Sequence, residues 1–198
     1  LPVMLYLHGG GYVLGGLESH DDVCAEISDR ASIAVVGVNY RLAPEHPFPA
    51  AFNDAWAVLQ HLSGQYGKII VGGDSAGGNL AAALALKARD EGGPKIAGQV
   101  LIYPGLGGDV TKGSYVTQAN APGLATKDVL YYRDIYKGGS HKFAEPLRET
   151  NFERLPPAFL VAAGLDSLCD DSENYAVKLR SANVPVQVRQ EPLLVHAF

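Results

Sequence analysis

Lys68-Ile69-Ile70-Val71-Gly72-Gly73-Asp74-Ser75-Ala76-Gly77-Gly78-Asn79-Leu80 joins two kinds of chain. The run Lys68–Val71 is apolar and β-branched, and Asn79–Leu86 has the composition of a helix. Between them Gly73-Asp74-Ser75-Ala76-Gly77 spells G-x-S-x-G. A strand that turns abruptly into a helix strains the turn residue and exposes its side chain. The small neighbours Gly73, Ala76 and Gly77 let the backbone close there without clashing. The helix that follows aims its free N–H groups, and the positive end of its dipole, back at the turn. A serine so placed is able to attack a carbonyl and have the resulting oxyanion held. The competing reading is a Gly-rich helix N-terminus with Ser75 as its cap. Three fixed positions match by chance roughly once in fifteen chains of this length, so the rest of the sequence must decide.

Strand-type and helix-type segments alternate outward from this stretch. Val3–Leu7 and Ile33–Val38 are nearly continuous apolar runs, as expected of strands covered on both faces. Ala51–Leu62 has helical spacing. Gln99–Tyr103, Ala158–Ala163 and Val184–Val188 read as further strands, the last an edge strand because it carries Pro185 and alternates. Helices are expected near Thr126–Tyr136 and Asp171–Ser181. The order β-β-α-β-α-β-(α)-β-α-β predicts a single α/β domain over residues 1–198, with a mostly parallel sheet flanked by helices on both faces. Residues 106–139 fit this rhythm least. They combine a Gly-rich stretch with a Tyr-rich helix, and are expected to contribute a cap over a pocket.

Composition narrows the function. A chain of 198 residues with 47% hydrophobic and 19% charged residues is an ordinary globular domain. Its net charge of −5 disfavours a nucleic-acid partner. Cys24 and Cys169 form no disulfide framework, which points to the cytoplasm, and no apolar run is long enough to span a bilayer. The six histidines show no metal-ligand spacing, so neither a metal nor a cofactor is expected. Oligomeric state is left open.

A serine needs a base to take its proton and an acid to orient that base. In one recurring order these follow the serine as acid, then His. His196 lies just after the last strand. His141, the other downstream histidine, sits in a polar, Gly-flanked stretch. Asp166 follows the Ala158–Ala163 strand. Its rival Asp170 pairs with Glu173 as an N-cap and capping-box partner of the next helix, which favours Asp166. Oxyanion donors come from a second loop, and His8-Gly9-Gly10-Gly11 follows the first strand with three unobstructed amides. Neither Gly-rich loop has the register of a phosphate loop. Tyr12, Tyr103 and the Tyr131-Tyr132 pair are candidates for the pocket lining.

His8-Gly9-Gly10-Gly11, Gly73-Asp74-Ser75-Ala76-Gly77-Gly78-Asn79 and Tyr40-Arg41-Leu42-Ala43-Pro44-Glu45, with Phe48-Pro49-Ala50-Ala51 and Asp54, together resemble the hormone-sensitive-lipase-like branch of the α/β-hydrolase esterases. The resemblance implies Ser75 as nucleophile, Asp166 as acid and His196 as base, with Gly10, Gly11 and Ala76 donating to the oxyanion. It implies a serine carboxylesterase acting on short-to-medium acyl esters without a cofactor. Amidase, lactonase or carbamate hydrolysis by the same triad, and a non-catalytic small-ligand-binding relative, are the alternatives. The Tyr40–Glu45 segment is expected to be scaffold, its prolines and an Arg41/Glu45 pair fixing a buried loop. Asp74 is expected to support the turn. Two departures stand out: Asp166-Ser167-Leu168 where the family has Asp-Pro-Leu, and His196-Ala197-Phe198 where it has His-Gly-Phe. The family also carries an N-terminal cap, first strands and a final helix, so the chain is expected to be the core of that fold.

Overall fold

The computed structural model describes residues 1–198. Six strands, β1 (Val3–Leu7), β2 (Ala34–Gly37), β3 (Ile69–Asp74), β4 (Ile96–Ile102), β5 (Ala158–Leu165) and β6 (Val186–Val195), form one sheet in the order β2-β1-β3-β4-β5-β6. Every pairing is parallel. Parallel neighbours need crossovers, and the helices α1 (Leu17–Ala31), α2 (Ala50–Ser63), α3 (Ala76–Glu91), α5 (Thr126–Tyr136) and α6 (Cys169–Ser181) lie between the strands. A short α4 (Ser114–Thr117) precedes α5. β6 is an edge strand, as Pro185 suggests, and the proline sits just before it, where no ladder N–H is needed.

The sequence reading missed α1. Two strands joined without a helix between them, as that reading had β1 and β2, do not pair in parallel. Helix α1 was hard to see because none of its residues is fully buried and most of them are polar or charged. At the other extreme, twelve of the sixteen residues of α3 are buried, including Leu80, Leu84 and Leu86 on several faces. Such a helix belongs in the core, and each fully buried leucine contributes about 1.5–3 kcal/mol. α3 packs against β1, β3 and β4, while α2 lies against α3 and α6 against β5 and β6.

Two local expectations are corrected. Helix α6 begins at Cys169 with Leu168 as its N-cap, so Asp170 lies inside the first turn and does not cap it. Its Oδ2 accepts the Ser114 N–H at 2.8 Å instead, and Glu173 pairs with Arg180. Likewise Arg41 pairs with Asp54 of α2 and not with Glu45. The backbone N–H and Nε of Arg41 both donate to Asp54 at 2.9 Å, on an exposed surface.

The strand order places the chemistry. β1 is followed in sequence by β2 on one side and has β3 on the other, so the sheet changes direction between β1 and β3. Open parallel sheets bind ligands at the carboxyl ends of strands beside such a reversal. His8–Gly11 leaves β1 there and Ser75 leaves β3 beside it.

Candidate active site

Ser75 is the N-cap of α3 with φ 52° and ψ −117°, a conformation that only the strand-to-helix turn imposes on a serine. Its N–H donates to the Ile102 carbonyl at 2.8 Å and its carbonyl accepts from Asn79 at 3.1 Å, so both ends of the strained residue are tied down. Asp166 directly follows β5 and is fully buried. His196 follows β6 and is nearly so. The His196 Nε2 is 2.9 Å from Ser75 Oγ, and Nδ1 is 2.7 Å from Asp166 Oδ2. A carboxylate accepts only, so Nδ1 carries the proton and Nε2 is left to accept from the serine hydroxyl. Asp166 Oδ1 accepts the Leu168 N–H at 2.8 Å, which fixes the carboxylate plane. The structure therefore brings together three side chains that lie 121 and 30 residues apart in the chain.

The Gly-rich loop after β1 has φ 112° at Gly10, 61° at Gly11 and 67° at Tyr12. These left-handed residues turn the chain back over Ser75. None of the amides of Gly10, Gly11 or Ala76 donates to a carbonyl of the chain. All three residues line one cavity with Ser75 and His196. Asp74 supports the turn by accepting from the Gly9 N–H at 3.0 Å and from the Tyr6 hydroxyl at 2.9 Å.

That cavity has a volume of about 210 Å³ and opens to solvent at its mouth. Tyr12, Leu124, Val129, Tyr132, Tyr136, Ala144 and Leu168 make its apolar wall, and Arg133 and Glu145 its polar end. Burial pushes the Tyr12 hydroxyl well above the ordinary phenol range, so it stays neutral. Most of the wall, Leu124, Val129, Tyr132 and Tyr136, comes from residues 106–139, the segment that fits the sheet rhythm least and is expected to contribute a cap. Of the four tyrosines expected in the lining, Tyr12 and Tyr132 line the cavity. Tyr131 is exposed, and Tyr103 is not part of the lining. Tyr103 lies behind the site, its ring 4.9 Å from the His196 ring and 5.2 Å from that of Phe198. It braces the imidazole and does not face the cavity. Arg133 and Glu145 carried no sequence signal, since neither belongs to a motif.

The acid loop is stitched to this wall. Ser167 Oγ donates to the Leu124 carbonyl at 3.1 Å, and Ser114 Oγ donates to the Ser167 carbonyl at 2.8 Å. A proline in place of Ser167 has no hydroxyl for the first of these bonds. Ala197 takes φ 61°, the left-handed turn that glycine occupies more cheaply, at a cost of about 1–2 kcal/mol.

One further carboxyl, Asp171, is fully buried beneath the wall. Its Oδ2 accepts from Leu106 N (2.7 Å), Gly108 N (3.3 Å) and Tyr115 Oη (3.0 Å), while Oδ1 has no partner. Burial pushes its pKa up to about 6, against the pull of these donors and of Arg133. A carboxyl with a raised folded pKa binds its proton more tightly in the fold than in the unfolded chain. Its contribution to stability is therefore complete below about pH 4, the unfolded value, and is lost as pH rises through about 6. Asp171→Asn is expected to flatten the melting temperature between pH 4 and 7 relative to the parent protein. Calorimetry across that range checks it, and parallel curves for the two proteins would count against a titrating Asp171.

No group of three or more His, Cys, Asp or Glu side chains is placed to share a metal ion, and no helix is long and apolar enough to cross a membrane. Cys24 and Cys169 are free thiols.

Comparison with known proteins places this geometry. The chain is 44% identical over 209 residues to the esterase LipI of Mycobacterium tuberculosis, a match covering all of this chain and 65% of the relative. It is 40% identical to the carboxylesterase NlhH of the same species, covering all of this chain and 66% of that protein. The chain thus spans a little under two thirds of the length of these curated relatives. Among solved structures, a bacterial heroin esterase superposes with a TM-score of 0.95 at 36% identity, over 100% of this chain and 67% of that one. Residues 4–198 match the family described as the alpha/beta hydrolase fold. With its parallel sheet and its strand-turn-helix serine, the chain belongs to the α/β-hydrolase fold family.

Proposed function

We propose that the protein is a serine carboxylesterase that hydrolyses small, uncharged esters through an acyl-enzyme on Ser75. The relay Ser75 Oγ–His196 Nε2 at 2.9 Å and His196 Nδ1–Asp166 Oδ2 at 2.7 Å carries this reading. In the acylation step His196 takes the Ser75 proton as Oγ attacks the ester carbonyl carbon. The carbonyl π bond opens and its oxygen becomes an oxyanion. The amides of Gly10, Gly11 and Ala76 receive that oxyanion, and in such holes one donor contributes about 3–4 kcal/mol of transition-state stabilisation. His196 then protonates the leaving alkoxide and the alcohol departs. Water, deprotonated by His196, attacks the acyl-enzyme in the same way and releases the carboxylic acid. Asp166 stays ionised throughout and holds the imidazole in the tautomer that accepts at Nε2.

The apolar wall favours a short-to-medium acyl chain, and residues 106–139 act as the part of the cap that this chain supplies. The half-buried free thiols of Cys24 and Cys169 fit a reducing, cytoplasmic setting. The relatives named esterase and carboxylesterase support the activity. The test is covalent. A fluorophosphonate reagent is expected to add one phosphonyl group per chain, on the peptide that carries Ser75, while hydrolysis of 4-nitrophenyl butyrate is lost in proportion. Labelling on another residue, or hydrolysis that survives complete labelling, would overturn the reading.

A further inference from the structure

The hydrolytic steps leave one buried charge unexplained. Asp74 lines the active-site cavity and immediately precedes Ser75, so its negative charge stands beside the place where the oxyanion forms. Its Oδ1 takes three donors: Gly9 N–H at 3.0 Å, Tyr6 Oη at 2.9 Å and His20 Nε2 at 3.2 Å. His20 comes from the first turn of α1, outside every motif of the sequence.

The other ring nitrogen of His20 also faces an acceptor. Nδ1 is 2.8 Å from Ser19 Oγ. That hydroxyl donates to the Gly16 carbonyl at 2.9 Å and accepts the Gly16 N–H at 3.0 Å, so its proton is spent. Two acceptors at the two ring nitrogens suit an imidazolium, which donates from both. Ser19, at N3 of α1, thereby holds the backbone of the N-cap residue Gly16 and is no second nucleophile. His8, whose ring lies 5.6 Å from that of His20, has the opposite setting. Its Nδ1 lies 2.7 Å from the Gly9 carbonyl, its Nε2 is buried without a partner, and burial lowers its pKa. One of the two rings is built to be neutral and the other to be charged. Around His20 stand Asp74 from the end of β3, Tyr6 from β1, His8 just after it, and Asp22 from α1, with Cys24 close by on that helix. The Asp74 carboxylate, by hydrogen bond and charge, raises the His20 pKa above its ordinary value. Tyr6 is held neutral by burial and by the same carboxylate.

We propose that His20 is a positioning residue for hydrolysis. As an imidazolium it neutralises Asp74, so that Asp74 fixes the Gly9 amide, and with it the Gly10–Gly11 loop, without leaving an uncompensated anion beside the oxyanion. This rests on the esterase reading above.

His20→Gln keeps an N–H donor for Asp74 but removes the charge. It is expected to lower kcat for 4-nitrophenyl butyrate about tenfold, the effect of one unscreened charge at short range in a partly buried site, with KM little changed. In the parent protein kcat is expected to fall on the alkaline side toward the level of the variant, as His20 loses its proton. The variant lacks that limb. Adding Asp74→Asn, which retains Oδ1 as acceptor and removes the anion, is expected to restore most of kcat. A His20→Gln variant with the parent kcat and the parent pH profile would overturn the proposal. So would a double variant no better than the single one. A second arm needs no turnover. Nitrogen-15 spectra of the imidazoles at pH 7 are expected to show both ring nitrogens of His20 protonated, and a neutral His20 sinks the proposal even if esters are cleaved. Ester cleavage that fails while His20 is charged counts against the esterase reading alone.

Discussion

Ser75→Ala is expected to leave about one millionth of the parent kcat toward 4-nitrophenyl butyrate, the loss seen when the nucleophile of a triad that works as a unit is removed. In the proposed mechanism Ser75 is the one group that forms the covalent bond. Without it the imidazole of His196 faces a methyl group, and the three free amides stabilise only the slow attack of water. Stability is expected to change little, because the Ser75 side chain makes a single hydrogen bond, to His196, and alanine inherits the same φ of 52°. Equal melting temperatures with a collapsed rate assign the loss to chemistry. Asp166→Asn extends the argument, since it preserves the packing but presents the wrong tautomer to Ser75. A loss on the order of ten-thousandfold is expected, as in a comparable triad. Hydrolysis by the alanine variant at the parent rate would remove Ser75 from the mechanism.

The largest structural effect is expected at Gly77. A Cβ there would stand 1.8 Å from the Leu7 carbonyl oxygen, 2.5 Å from the Leu7 carbonyl carbon and 2.6 Å from the His8 carbonyl oxygen. These are backbone atoms at the end of β1, which is paired on both sides in the sheet, so no side chain can swing away to make room. Gly77→Ala must push α3 off the sheet or break the strand. The expected cost is more than about 4 kcal/mol, in the range of severe overpacking. Gly67→Ala is the control: it has nothing within 4 Å of the added carbon and no left-handed φ. Urea titration of the two variants should show Gly67→Ala near the parent midpoint and Gly77→Ala unfolded or far below it. A Gly77→Ala protein with the parent midpoint would show that the helix and strand do not touch there.

The fold was legible where burial leaves a mark on composition. Val3–Leu7 and Ala158–Ala163 are strands covered by helices, and such strands read as unbroken apolar runs. The buried helix α3 announced itself by alanine and leucine on all sides. Helix α1 did not, because it buries no residue completely, and only the parallel pairing of β1 with β2 demands it. The site divides in the same way. Ser75, Asp166 and His196 sit at strand ends in a fixed order, and short spacing rules reach them. Tyr103 was misplaced because an aromatic at a strand end fits a cavity wall and a brace behind the imidazole equally well. Leu124, Arg133 and Glu145 belong to no motif and reach one cavity from the loop before α5, from α5 itself and from the loop after it. His20 is invisible for another reason: its partner, Asp74, lies in a different element 54 residues away along the chain.

His196 directly follows β6, the last of the six strands described, and its ring meets a serine 121 residues upstream. Long-range parallel pairings form slowly. During refolding, sheet and helix signals should therefore recover before hydrolysis does. On the ribosome Ser75 and the Gly10–Gly11 loop emerge before His196. Under the proposed mechanism, ester turnover becomes a clock for the docking of β6, and a nascent chain stays silent toward esters until that strand has paired with β5.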